Sequence, residues 1–226
     1  MTTTTEINFS EETCIPNSIF EKKVGDVIYV KPFIPDGIAI KMVENLTTPE
    51  RIQYGVFAKN NFVKGEVLWS SYINVITINE KQPLYLRPLY FMFNIPDVGY
   101  VPVSFYEHMV YDGSFGSYES FDCIMNHSCD PNSTIVDLQD GEDGCKQSNL
   151  QWFYKHIALK DIRAGEQMTT NYLLFCEGDE DDEGFICHCG SKNCCGTMRG
   201  FKNLPIEKQQ ELLPYVDEYF IKNWGL

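Results

Sequence analysis

From Val27 onward the chain is cut into short apolar runs rich in Val, Ile, Tyr and Phe. They are Val27–Val30, Ile38–Val43, Gly55–Ala58, Val67–Ile78, Val101–Phe105, Thr134–Leu138 and Trp152–Ala158, broken by Pro, Gly, Asn and Asp. Branched and aromatic side chains suit a pleated, half-buried surface, and Gly and Pro end such runs. The pattern predicts a mostly β (α+β) fold of many short strands. No long amphipathic helix is evident before residue 200. Pro83–Phe93 reads as a helix, with a strand of aromatic face as the other reading. At the end, Leu212, Leu213, Val216 and Phe220 recur at helical spacing, which predicts one or two short helices interrupted at Pro214. Residues 1–26 are polar and read as loose at the start.

Composition excludes several classes. At 43% hydrophobic and 14% aromatic residues, 226 residues can bury a core and are not a disordered chain. A net charge of −14 opposes phosphate backbones, so direct nucleic-acid binding is not expected, whereas a basic protein or peptide is a suitable partner. No apolar run reaches the ~20 residues that span a bilayer, and no membrane role is expected. The beginning lacks a basic and apolar leader pattern, which points to an intracellular protein, nuclear or cytoplasmic. Residues 177–183 contribute six acidic side chains and read as a solvated loop.

Four of the nine cysteines crowd into Cys187, Cys189, Cys194 and Cys195. In an intracellular chain such crowding reads as metal binding before disulfides. Cys187-x-Cys189-x4-Cys194 offers three thiolates on a turn, and zinc takes four soft ligands tetrahedrally. Cys195 and His188 are local candidates for the fourth, and Cys129 is a distant one. Adjacency to another ligand makes the local pair awkward, and geometry favours Cys129. Cys14, Cys123, Cys145 and Cys176 read as buried thiols serving as small apolar residues.

Asn126-His127-Ser128-Cys129-Asp130-Pro131-Asn132 is a dense polar turn after an apolar stretch, and residues 162–172 read IRAGEQMTTNY. With Tyr54-Gly55-Val56-Phe57-Ala58 and Lys64-Gly65-Glu66 upstream, and the cysteine cluster downstream, the chain resembles a SET-domain protein lysine methyltransferase with a post-SET zinc module. The resemblance covers roughly residues 51–200. It implies a SET-domain fold of small curved β-sheets with a pseudoknot near the active site. The implied organisation is an N-terminal flank (1–50), a SET domain (51–176, with an insert near 80–120), an acidic loop and post-SET zinc module (177–200), and a C-terminal helical tail (201–226).

Carried to matching positions, the resemblance implies S-adenosylmethionine and one structural zinc as cofactors. Gly55, Asn126 and His127 would approach or hold S-adenosylmethionine, with Met198 packed on it. Tyr172 would be the active-site tyrosine, and Cys129, Cys187, Cys189 and Cys194 would bind the zinc. Methyl transfer is an in-line displacement by a neutral amine, so the protein mainly aligns the partners and excludes water. A lysine begins with a pKa of ~10.4 and must lose its proton first. An apolar channel and a nearby sulfonium both favour that loss. The implied reaction is methylation of lysine in a protein, a histone tail by default. The alternatives are a catalytically weak zinc- and peptide-binding module, or a methyltransferase for a non-histone protein or small amine. Several positions depart from the family pattern: Gln53 replaces a glycine, Ser70 and Ser71 a Glu-Tyr pair, Cys123 an arginine, Asn171 an acidic residue, and Thr170 a Phe or Tyr. Thr170 leaves more room beside the tyrosine, which predicts more than monomethylation.

Overall fold

The computed structural model describes residues 18–25, 27–44, 52–77, 89–105, 108–111, 114–117, 121–137, 151–178, 183–216 and 218–226. In chain order the strands are β1 (Ser18–Val24), β2 (Val27–Pro32), β3 (Ile38–Met42), β4 (Tyr54–Ala58), β5 (Val67–Thr77), β6 (Leu89–Ile95), β7 (Gly99–Phe105), β8 (His108–Tyr111), β9 (Ser114–Ser117), β10 (Asn126–His127), β11 (Ser133–Asp137), β12 (Gln151–Ala158), β13 (Gln167–Thr170), β14 (Phe185–Ile186) and β15 (Thr197–Met198). Two helices, α1 (Ile206–Leu212) and α2 (Glu218–Trp224), close the chain, separated by a 3-10 turn that contains Pro214. The strands form sheets in the orders β1-β2-β6-β7, β10-β13-β4-β3, β11-β12-β5-β9-β8 and the ribbon β14-β15. The seven apolar runs all become strands, and the C-terminal helices break where Pro214 predicts.

The start read as loose, residues 1–17, lies outside the described residues. Ser18–Val24 is a strand that forms a hairpin with β2, turning at Gly25 with φ 60°. One reading needs correction. Leu89–Ile95 is a strand, not the C-terminal part of a helix. It pairs parallel to β2 and antiparallel to β7, and Phe93 and Ile95 are buried there. A largely apolar run of that length suits a strand with two neighbours. The rest of Pro83–Phe93, residues 83–88, lies outside the described residues. So do Cys14, Cys145 and most of the acidic run. Among the remaining thiols read as buried, Cys123 is half-buried, and Cys176 is exposed because it stands where the chain leaves the core.

The main core joins the first two sheets through Val30, Ile38, Val56, Phe93, Phe121 and Met168. Two turns of the same design fix the strand ends beside it. In Val63–Glu66 and Arg163–Glu166, the fourth residue's N–H donates to the first residue's carbonyl at 3.0 Å in each case. The glutamate side chain then accepts the first residue's N–H. The third position carries φ of 86° at Gly65 and 91° at Gly165, a backbone state that glycine takes without steric cost.

A second apolar cluster, Leu174, Phe201, Val216 and Trp224, seats the C-terminal helices against the body. Phe220 stacks on Trp224 at 4.9 Å. A third gathers Leu173, Cys187 and Met198 with the other nearby thiols.

Just before β10, a 3-10 turn (Phe121–Ile124) carries Asp122, whose side chain is 1% exposed. Its Oδ2 accepts from Trp69 Nε1 and from the Tyr154 hydroxyl, both at 3.1 Å. His156 Nε2 stands 3.2 Å from the same oxygen, off the hydrogen-bond direction. The His156 ring stacks on Trp69 at 4.3 Å. Removing the carboxylate strands buried donors on β5 and β12. Asp122→Ala is expected to lower unfolding free energy by about 3 kcal/mol in chemical denaturation, because a buried polar network loses its central acceptor.

Candidate functional site

The heptad that begins at Asn126 is stitched to β13. β10 runs parallel to β13, with Asn126 opposite Thr169 and His127 opposite Thr170. Asn132 uses both ends of its amide on that strand: Nδ2 donates to Gln167 O at 2.8 Å, and Oδ1 accepts from Thr169 N at 2.9 Å. The Ser133 hydroxyl donates to Thr169 O, and Ser128 N donates to Thr170 O. Asn132 was legible as part of the heptad, but its role as a staple was not. A side-chain amide that imitates a strand edge declares itself only once the edge is present.

Asn126 faces β4. Its Nδ2 donates to Tyr54 O at 2.9 Å, and its Oδ1 accepts from Gln53 Nε2 at 2.8 Å. Gly55 lies directly beneath. A Cβ there would sit 2.6 Å from Gln167 Nε2, 2.9 Å from Asn126 Nδ2 and 2.9 Å from a Val43 methyl. The glycine is required by close approach. Gln167 Nε2 and Thr170 Oγ1 are buried nearby on β13 without hydrogen-bond partners.

His127 joins two parts of the site. Its Nδ1 accepts from Tyr172 N at 3.1 Å, so the neutral ring carries its proton on Nε2. That nitrogen stands 3.1 Å from Cys129 Sγ and donates to it. Burial pulls the His127 pKa down to about 4, which keeps the ring neutral. The geometry makes His127 a bridge between a thiol and the tyrosine backbone.

Tyr172 opens a 3-10 turn (Tyr172–Leu174) capped by Asn171, whose Oδ1 accepts from Leu173 N at 3.1 Å. An Asn here does the capping work of an acidic residue without its charge. The tyrosine is 37% exposed overall, yet its hydroxyl turns inward and donates to Met125 O at 2.5 Å. Burial of that end, with a smaller contribution from Cys123, pushes its pKa up to about 12. The phenol stays protonated at neutral pH. A hollow of about 280 Å³ opens beside it, lined by Leu173, Cys176, Phe185, Met198 and the backbone at Gly184 and Gly200 among others.

The thiols converge on the other side of His127. Cys129 Sγ lies 3.9 Å from Cys187 Sγ and 3.5 Å from Cys195 Sγ, although the heptad and the cluster are distant in the chain. Metal-ligating atoms of His127, Cys129, Cys187 and Cys189 all fall within 4.8 Å of one another. Cys194 is close by but outside that group: its Sγ points at Cys187 O at 3.7 Å and accepts from Gly196 N at 3.4 Å. His188 is exposed. Burial pushes the Cys129 and Cys187 thiols up to about 12. At Cys189 burial is outweighed by hydrogen bonds from the Cys129 backbone, Ser191 and Cys187, and the thiol falls to about 6. A cation would supply what the buried thiolates need.

The sequence expectation therefore meets the structure as follows. Gly55, Asn126, His127 and Tyr172 are brought together. Met198 is buried on the wall of the adjoining hollow. Cys129, Cys187 and Cys189 form one group, with Cys194 at its edge. Cys195, a local candidate for the fourth ligand, stands 3.5 Å from Cys129 Sγ. Gly55→Ala is expected to cost about 1–3 kcal/mol in thermal or chemical denaturation, because the added methyl must displace Asn126 or Val43.

The SET domain family model matches residues 53–173. Over 170 residues the chain is 29% identical to histone-lysine N-methyltransferase NSD3 of Mus musculus, covering 75% of this chain and 10% of that protein. It is 32% identical over 103 residues to the histone-lysine N-methyltransferase, H3 lysine-36 specific, of Mycosarcoma maydis, covering 46% of this chain and 9% of that protein. The Homo sapiens protein of the same description is 34% identical over 100 residues, 44% of this chain and 3% of the protein. The chain thus spans a tenth or less of the length of these relatives.

Proposed function

The chain belongs to the SET domain family, and from that premise we propose that it transfers methyl from S-adenosylmethionine to the side-chain amine of lysine in a basic protein, a histone foremost. One observation carries this reading. The asparagine–histidine turn, the tyrosine and the thiol group meet at one place, with Tyr172 N on His127 Nδ1 and His127 Nε2 at Cys129 Sγ.

The residues present fit the two cofactors. Gly55 brings a backbone without a Cβ up to Asn126, and Gln167 Nε2 lies buried beside it without a hydrogen-bond partner. Gly55, Asn126 and His127 would hold S-adenosylmethionine, with Met198 against it. This cofactor supplies a methyl carbon on a sulfonium, open to in-line attack by an amine. For zinc, the donor chemistry is right: closely grouped sulfur ligands with N–H···S bonds from Gly196 and Cys195 to stabilise thiolates. Cys129, Cys187, Cys189 and Cys194 are the proposed ligands. We keep His127 outside the set because its Nδ1 already accepts from Tyr172 and its Nε2 carries the proton. In that position it orients a ligand and the tyrosine together.

In this mechanism Tyr172 orients rather than abstracts a proton. Its hydroxyl is fixed by Met125 O and held protonated by burial, so it can hold one geometry beside the reacting groups. Apolar side chains of Leu173, Phe185 and Met198 line the hollow and favour the neutral form of an entering amine. The zinc would anchor the loop that presents Phe185 and Met198 to the hollow. A net charge of −14 suits a basic substrate, and the acidic run at 177–183 would assist its approach. The protein would act in the nucleus or cytoplasm.

A second reading draws on Gln53, which replaces a family glycine and already bonds Asn126 Oδ1. It makes the chain a zinc- and peptide-binding module with weak turnover. Labelled S-adenosylmethionine and histones separate the two. Wild type is expected to transfer label. Tyr172→Phe is expected to retain cofactor binding and lose transfer on the order of a hundredfold, as misplaced reacting groups do. Cofactor binding without transfer to histones or to any protein of a lysate would favour the module.

Thr170 is 5% exposed with an unpartnered hydroxyl, one strand residue ahead of the Asn171–Tyr172 pair. Its small side chain leaves room for a methylated amine. Mass spectrometry is expected to find di- or trimethyl product from wild type and mainly monomethyl product from Thr170→Phe. Monomethyl product alone from wild type at long incubation would defeat the claim.

A further inference from the structure

Five thiols gather where a tetrahedral metal has four seats. Cys129, Cys187, Cys189, Cys194 and Cys195 pack together around Leu173 and Met198. Cys194 and Cys195 are adjacent, and two neighbouring residues cannot readily serve one small tetrahedron. One thiol is therefore left beside the metal site without a place in it.

The proposed ligand set takes Cys194, and the geometry pairs the remaining thiol, Cys195, with Cys129. Its Sγ is 3.5 Å from Cys129 Sγ, closer than the 3.9 Å between Cys129 and Cys187. Its backbone N–H also donates to Cys129 Sγ at 3.4 Å, which holds the two residues in register. Cys195 is half-buried, so a small oxidant can reach the pair. The 3.5 Å gap closes to a disulfide length of ~2.05 Å with a modest side-chain movement.

We propose that Cys195 is a resolving thiol for Cys129, so that the pair is a peroxide-sensitive modification site that releases the structural zinc. The proposal rests on the zinc site of the preceding section. The Cys129 thiolate attacks one oxygen of a peroxide: an S–O bond forms, the O–O bond breaks, and hydroxide leaves. Cys195 Sγ then attacks the sulfenic sulfur. The S–S bond forms, the S–O bond breaks, and the departing hydroxide takes the Cys195 proton as water. Two sulfur atoms together lose two electrons, and the peroxide is reduced by two. Cys129 no longer offers a thiolate, and the ion loses the ligand that ties the module to the heptad. Because Cys129 also accepts from His127 Nε2, the change reaches the residue that holds Tyr172 N.

The experiment uses the full chain loaded with zinc and exposed to hydrogen peroxide. Zinc release is followed with a chromogenic chelator, and disulfides are mapped by tandem mass spectrometry after alkylation of free thiols. Wild type is expected to release its zinc and yield a Cys129–Cys195 linked peptide, both reversed by a dithiol reductant with added zinc. Cys195→Ser and Cys195→Ala are each expected to bind one zinc, to lack that link, and to keep their zinc through an exposure that empties wild type. Cys194→Ser is expected to lose zinc without any oxidant. Equal release from wild type and both Cys195 variants would overturn the proposal. So would zinc binding that depends on Cys195 and survives Cys194→Ser, since Cys195 would then be a ligand. None of these readouts uses methyl transfer, so they stand apart from the catalytic reading.

Discussion

Tyr172, Leu173 and Leu174 leave one 3-10 turn in three directions, and the rest of the molecule is arranged around that divergence. Tyr172 goes to the hollow, Leu173 to the thiol cluster, and Leu174 to the aromatic group under the C-terminal helices. A turn this short has little stability of its own. It is held from outside by the Asn171 cap, by His127 Nδ1 accepting from Tyr172 N, and by the Tyr172 hydroxyl on Met125 O. Two of these three restraints come from the segment around Asn126 and His127. The position of the tyrosine is therefore set by a piece of chain far away in sequence.

That dependence explains the economy of the heptad. Its residues do not gather around a ligand alone; most spend their polar groups on the protein. Asn132 completes the edge of β13, Asn126 bridges to Tyr54 O, and His127 spans Cys129 and Tyr172. Buried polar groups are costly unless matched, and matched ones specify a single arrangement. A cation among the thiols would tighten the same frame, because Cys129 belongs to the heptad and Cys187 and Cys189 to the segment behind Met198. Thiol cluster, turn and hollow form one connected frame.

Much of this was legible in the sequence, and the failures share a cause. The seven apolar runs became strands because branched and aromatic periodicity is a local signal. The heptad and the cysteine spacing marked the site because each residue type there has a narrow chemical use. Ser18–Val24 was missed because its Ser, Glu and Lys residues leave no apolar period to read, and its pairing with β2 is not a local signal. Leu89–Ile95 was ambiguous because a run apolar at every position but Asn94 has little period to read. Whether Cys194 or Cys195 belongs beside Cys129 could not be decided from spacing, since adjacent residues differ only in the direction their side chains take. The capping role of Asn171 was likewise invisible until Leu173 N stood opposite its amide oxygen.

The central claim is that the thiol cluster, His127 and Tyr172 act as one catalytic unit. The most direct measurement is zinc content and methyl transfer to histones on the same purified sample, before chelation, after it, and after zinc is returned. The account predicts one zinc per chain, transfer that vanishes with the metal, and recovery of both together. Undiminished transfer from metal-free protein would contradict it.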